Sequence, residues 1–334
     1  MRTVSIITLK LTLIAVIFYY LISRALHSGA FAELNVGAFR WDYLTLGLVL
    51  NLVATVITII RWRALVLALH EPLSMTDALK FGFIGFMFNL SPVGIVGGDA
   101  IKVVLLSKKS GASVSRSTAS VVIDRAVGLY AMFVLGVLFL FITGFSSNPS
   151  SLARFATRGL IGLTFLTTLF FILVVSPSRL TSPLVSLLRR LPVVGAVVEK
   201  LTTATLEYSR SRLTLFYSFL ATLLVHSFFS ASLFCLARGL YRSTPSLIDH
   251  FTLYCLGNVG SIIPLSAGPL EYFLDELYPL FPVVSGEIEI EPGYGMTVGI
   301  AYRLATVAVA LIGVLFYVFS RNEVRASDQT TNEK

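Results

Sequence analysis

An α-helix needs about twenty apolar residues to cross ~30 Å of hydrocarbon, and this chain supplies such runs again and again. They lie near 4–23, 43–60, 119–143, 159–176, 213–237 and 297–319. In hydrocarbon each unsatisfied backbone group costs roughly 2–7 kcal/mol, so the backbone must bond to itself. That requirement selects helices. The chain has 334 residues, 55% hydrophobic and 13% charged, whereas soluble domains carry roughly 25% charge. The expectation is an all-α polytopic membrane protein, a single transmembrane domain over 1–320 with halves near 1–145 and 158–320. The first run follows Met1-Arg2 and precedes Arg24 and His27. That is a poor cleavage region, so we read a retained first helix.

Two segments interrupt the pattern. Asn89-Leu-Ser-Pro-Val-Gly-Ile-Val-Gly-Gly-Asp-Ala-Ile-Lys102 lies within 74–108, and Asn258-Val-Gly-Ser-Ile-Ile-Pro-Leu-Ser-Ala-Gly-Pro-Leu-Glu271 within 246–283. Each reads as two short helical arms joined at a Pro/Gly break. Irregular backbone survives at membrane depth only where protein buries it or water fills a cavity. Two such breaks at corresponding places in two halves point to a midplane binding site in a transporter. About six full spans plus two broken, re-entrant hairpins give each half an odd number of crossings. The halves then have opposite orientation, as in an inverted repeat.

Basic residues set the orientation. With a cytoplasmic N-terminus, Arg61, Arg63, Lys80, Lys102, Lys108, Lys109, Arg116 and the basic stretch 178–212 fall inside, joined by Arg321, Arg325 and Lys334. Arg24, Arg40, Arg154, Arg158, Arg238 and Arg242 fall outside, near the acidic run Glu287, Glu289, Glu291. The 178–212 stretch is too charged to span and suits an amphipathic element at an interface. Residues 321–334 have no apolar face and read as a disordered cytoplasmic tail. The net charge of +8 thus lies in loops and is no nucleic-acid footprint.

The intramembrane charges are the candidate site. Asp99 and Lys102 follow Gly97-Gly98 at a spacing of three, which places both on one helix face. Asp99 would then cap a helix start, and the glycines would let backbone approach a ligand such as a phosphate. Asn89 opens the same segment. Asp124 and Arg125 open the next span, pointing about 100° apart; one of them is expected to pair with Lys102 or Asp99. Glu271 and Asp275 share a face beside Glu276, as a solvated loop or as an acidic vestibule. Arg303 within the last span needs a partner, and Glu271 is the candidate. His226 reads as an inter-helix hydrogen bonder, Cys235 and Cys255 as small packing residues without metal-ligand spacing. No metal or cofactor is expected. Gly-x-Ser-x-Gly, His-Glu-x-x-His and P-loop signatures are absent, which counts against an autonomous enzyme and against ATP-driven pumping.

Arg61-Trp-Arg63, Asn89…Pro92…Gly97-Gly-Asp99…Lys102, Asp124-Arg125, Pro264…Gly268…Glu271 and Tyr302-Arg303 together resemble the lysylphosphatidylglycerol synthase transmembrane-region family, over about 1–320. The resemblance implies a bacterial or archaeal inner-membrane protein that moves a lipid or lipid-linked precursor between leaflets. Its flippase residues would map to Asp99, Lys102, Asp124, Arg125, Glu271 and Arg303. Lys102 stands where an arginine is common, and the second break reads Ser-Ala-Gly-Pro-Leu-Glu in place of a Pro-Gly-Gly run. Lacking an aminoacyl-transferase domain, the chain is not expected to synthesise lysyl lipid. Lipid flipping is the first expectation. A membrane scaffold serving a separate lipid- or glycan-modifying enzyme is the alternative.

Overall fold

The computed structural model describes residues 2–28, 39–90, 95–175, 208, 211–260, 265, 267–283, 290 and 292–331. Its helices are α1 (Arg2–Ser28), α2 (Trp41–Ala68), α3 (Met75–Asn89), α4 (Ile95–Ser110), α5 (Val114–Ile142), α6 (Ser151–Val175), α7 (Arg212–Leu240), α8 (Leu247–Val259), α9 (Pro269–Leu277) and α10 (Tyr294–Thr331). Among the described residues no strand occurs. Five helices are long and apolar enough to cross a membrane: α2, α5, α6, α7 and α10. The sixth expected run falls in α1, whose described apolar part is the shorter Thr12–Arg24. The all-α polytopic membrane fold is therefore established.

Both interrupted segments are pairs of short helices, α3 with α4 and α8 with α9. The expected joints Pro92 and Pro264 lie outside the described residues, as do most of the basic 178–212 stretch and Glu287, Glu289 and Glu291. α10 continues to Thr331 and so carries backbone helix into the polar tail that composition reads as unstructured. Extending a helix already nucleated by a span costs little compared with starting one.

Local chemistry explains the starts. Ser74 Oγ accepts from the Asp77 N–H ahead of α3 at 3.0 Å. Ser246 Oγ does so from Asp249 ahead of α8 at 3.2 Å, and the Asp249 carboxylate accepts the Ser246 N–H in return. Each cap satisfies amides that a helix leaves orphaned in its first turn.

α2 and α7 form the spine and run antiparallel. The Arg40 N–H donates to Gly239 O, Ser232 Oγ to Gly47 O, and Tyr208 Oη to Leu65 O, so one chain ascends as the other descends. The closing helix of each half packs against the first arm of the other half. A Cβ on Gly313 of α10 would fall onto the Phe83 carbonyl of α3, and one on Gly136 of α5 would meet Cys255 Cβ of α8 at 2.9 Å. Large apolar residues such as Phe155, Phe165, Leu213 and Phe319 stay exposed. In a bilayer that surface faces lipid.

Candidate functional site: two arginine–carboxylate pairs beside the helix breaks

α4 begins at Ile95, which corrects the expectation for Asp99 and the glycines. Asp99 lies in the second turn and is not a helix cap. Gly98 faces protein and not a ligand: a Cβ there would overlap the Asn89 side chain and the Gly85 carbonyl. Gly97 precedes it in the same turn. Gly98 lets α4 fold back tightly on α3, which is why the sequence needs glycine at this place.

That close return delivers Asp99 to α5. Arg125 Nε donates to Asp99 Oδ2 at 3.0 Å and Nη2 to Oδ1 at 2.8 Å, a two-pronged pair. Its side chains keep 38% and 19% of their surface exposed. Lys102, one turn further along α4, is only 6% exposed. It packs over Gly85, and its Nζ lies 5.2 Å from the centre of the Trp62 ring, where the ring quadrupole attracts a cation. Asp124 turns to the other side of α5 and binds Arg61, which donates through Nε at 3.0 Å and Nη2 at 2.8 Å. Arg61 Nη1 also donates to Thr222 Oγ1 at 2.6 Å. Asn89, Gly98, Asp99, Lys102, Asp124 and Arg125 are thus assembled by α2, α3, α4 and α5.

The second constellation repeats the first. Glu271 is fully buried and receives Arg303 of α10, Nε to Oε1 at 2.8 Å and Nη2 to Oε2 at 3.1 Å. Oε2 also accepts the Gly268 N–H at 2.9 Å. Gly268 stands at φ +103°, a conformation that a side chain would strain. Glu271 and Asp275 are both buried and turn to different partners. Asp275 Oδ1 accepts the N–H groups of Gly293 and Met296 at 2.7 and 3.2 Å and so caps α10.

Sequence reasoning passed over two contributors. Trp62 supplies the face against Lys102, signalled only by its place in Arg-Trp-Arg at the end of a span. Arg24 reaches from α1 to Glu276 and, at 3.5 Å, to Asp275; nothing local in the sequence signals a contact so distant. His226 behaves as expected, bonding Gly128 O at 3.0 Å and Tyr254 Oη at 3.2 Å. Gly128 O can only accept, so Nε2 carries the proton. Cys235 and Cys255 are buried and free. Among the described residues no group of three or more His, Cys, Asp or Glu could hold a metal ion.

A helical fold with five spans and arginine–carboxylate pairs within it defines an integral membrane protein. The lysylphosphatidylglycerol synthase TM region model matches residues 7–314, and the chain belongs to that family. Neither the curated proteins nor the solved structures gave a match.

Proposed function

We propose that this protein translocates a phospholipid or lipid-linked precursor between leaflets, the headgroup passing the arginine–carboxylate pairs while the tails remain in the bilayer. The observation that carries the reading is the duplication of that pair. Ser74 and Ser246, Asp77 and Asp249, Gly85 and Gly257, and Asp99 and Glu271 are all separated by the same number of residues. In each set the carboxylate is held by an arginine from the closing helix of its own half. Because α2 and α7 run antiparallel, this correspondence supports an inverted repeat with two re-entrant hairpins meeting near the midplane, a transporter architecture. Half-helices and arginine donors there suit an anionic headgroup. Lys102 adds a cation that, among the described residues, no ion pair claims.

The reading is of a transporter and not an enzyme. Asp99, Asp124 and Glu271 are each bound by an arginine, as structural and headgroup-facing ion pairs would be. Cytoplasmic termini in a bacterial or archaeal inner membrane fit the placement of basic residues.

Purified protein in liposomes tests this by external quenching of labelled lipids. The panel is phosphatidylglycerol, aminoacylated phosphatidylglycerol, a zwitterionic lipid and a polyprenyl phosphate. Selective exchange that Arg125→Gln removes is the expected result. Folded protein that exchanges none of them, with or without an ion gradient, would overturn the proposal.

A further inference from the structure

The two pairs are equivalent in position but not in cover. Asp99 keeps 19% of its side-chain surface and Glu271 none, while Arg125 keeps 38% and Arg303 25%. The difference lies in the outermost helix of each half. α6 packs along α5, with Leu160 against Gly136. α1 instead lies on α9: Ile17 packs against Gly268, with 3.2 Å from its Cδ1 to where a Cβ would stand. Gly268 is the residue whose N–H binds Glu271.

α1 is held lightly. Leu21 is fully buried and forms with Met296 a small cluster that Ile17 and Ile300 join. Its described neighbours Leu13, Val16, Tyr19, Ile22 and Leu26 are all exposed and face lipid. A polar fastening lies at the C-terminal end, where Arg24 pairs with Glu276 and approaches Asp275. Arg24 and Glu276 keep 27% and 26% of their side-chain surface exposed. The Arg24–Glu276 pair is half-buried and keeps contact with solvent, so breaking it costs less than breaking a fully buried pair.

We propose that α1 is a lid over the second arginine–carboxylate pair, latched by Arg24 to Glu276 and Asp275, and that the structure holds it closed. Opening lifts Ile17 from Gly268, uncovers Glu271 and widens the access that Arg303 already has, laterally to lipid headgroups. What the lid admits rests on the translocation reading. The lid motion itself does not.

Tyr20 and Tyr272 report on it, since their rings lie 6.4 Å apart across the α1–α9 seam and both are exposed. Spin labels on Tyr20→Cys and Tyr272→Cys, in the full chain in nanodiscs, measure the separation. Two distance populations are expected, and Glu276→Gln should raise the longer one roughly fivefold. Arg24→Gln releases the same latch from the other side, so poor folding of one variant leaves the other as the test. A single short distance that neither variant changes would overturn the lid. A cleavable bifunctional thiol reagent across the same two cysteines should stop lipid exchange, and its reduction should restore it. Unchanged exchange in the cross-linked protein also overturns the lid. Two distances without any lipid exchange would instead sink the translocation reading and leave the lid standing.

Discussion

Asp99 and Glu271 occupy the same place in two successive helix pairs, and each is gripped by both prongs of an arginine, Arg125 and Arg303. The two grips differ in depth. Glu271 is fully buried, while Asp99 keeps 19% of its side-chain surface.

Depth decides what losing the arginine does. Breaking a buried pair by removing one partner costs up to about 3–5 kcal/mol, because a charge is stranded. Arg303→Gln should therefore lower thermal stability in detergent markedly more than Arg125→Gln, whose carboxylate keeps contact with solvent. Equal melting shifts would contradict the assigned burial.

Arg61 and Asp124 are both nearly buried and bind each other, which joins α2 to α5. Asp124→Asn should destabilise by a few kcal/mol. A double-mutant cycle with Arg61→Gln should give a coupling of about 1–3 kcal/mol. Lipid exchange per folded molecule should persist in Asp124→Asn; its complete loss in well-folded protein would move this pair into the transport path.

Gly98→Ala should cost about 1–3 kcal/mol or more through overpacking, since the added methyl overlaps Asn89 and Gly85. Gly159→Ala is the control, because nothing lies within 4 Å of its added carbon. Expression yield and melting temperature separate the two. A neutral Gly98→Ala would show that α3 and α4 are less closely packed than described.

Lys102→Met keeps the aliphatic stem that packs over Gly85 and removes the ammonium near Trp62. The variant should fold like the parent and lose any preference for anionic over zwitterionic lipid in the exchange assay. An unchanged preference would assign Lys102 to packing alone.

The long elements were legible because hydrocarbon leaves little choice: the apolar runs at 43–60, 213–237 and 297–319 all lie within observed helices. Pairing of Arg303 with Glu271 was legible too, since a cation inside a span needs a carboxylate and few are available. The same logic expected Asp124 or Arg125 to pair with Lys102 or Asp99, and the structure joins Arg125 to Asp99. Gly98 misled, because a glycine there reads identically as a loop that admits a ligand or as a flat face that admits another helix. Only the position of Asn89 and Gly85 decides between them. The Arg24 latch and the Lys102–Trp62 contact join helices far apart in sequence, and no spacing rule reaches that far.

The crossed seating of Gly313 on Phe83 and of Gly136 on Cys255 has a mechanical consequence. Each half keeps a rod inserted in the other's bracket, so the halves are braided and cannot rock as independent blocks without unthreading a backbone-close contact. Stiffness of that kind belongs to a chassis. Displacement is left to whatever is bolted on from outside, and in this molecule the part so attached is its first helix.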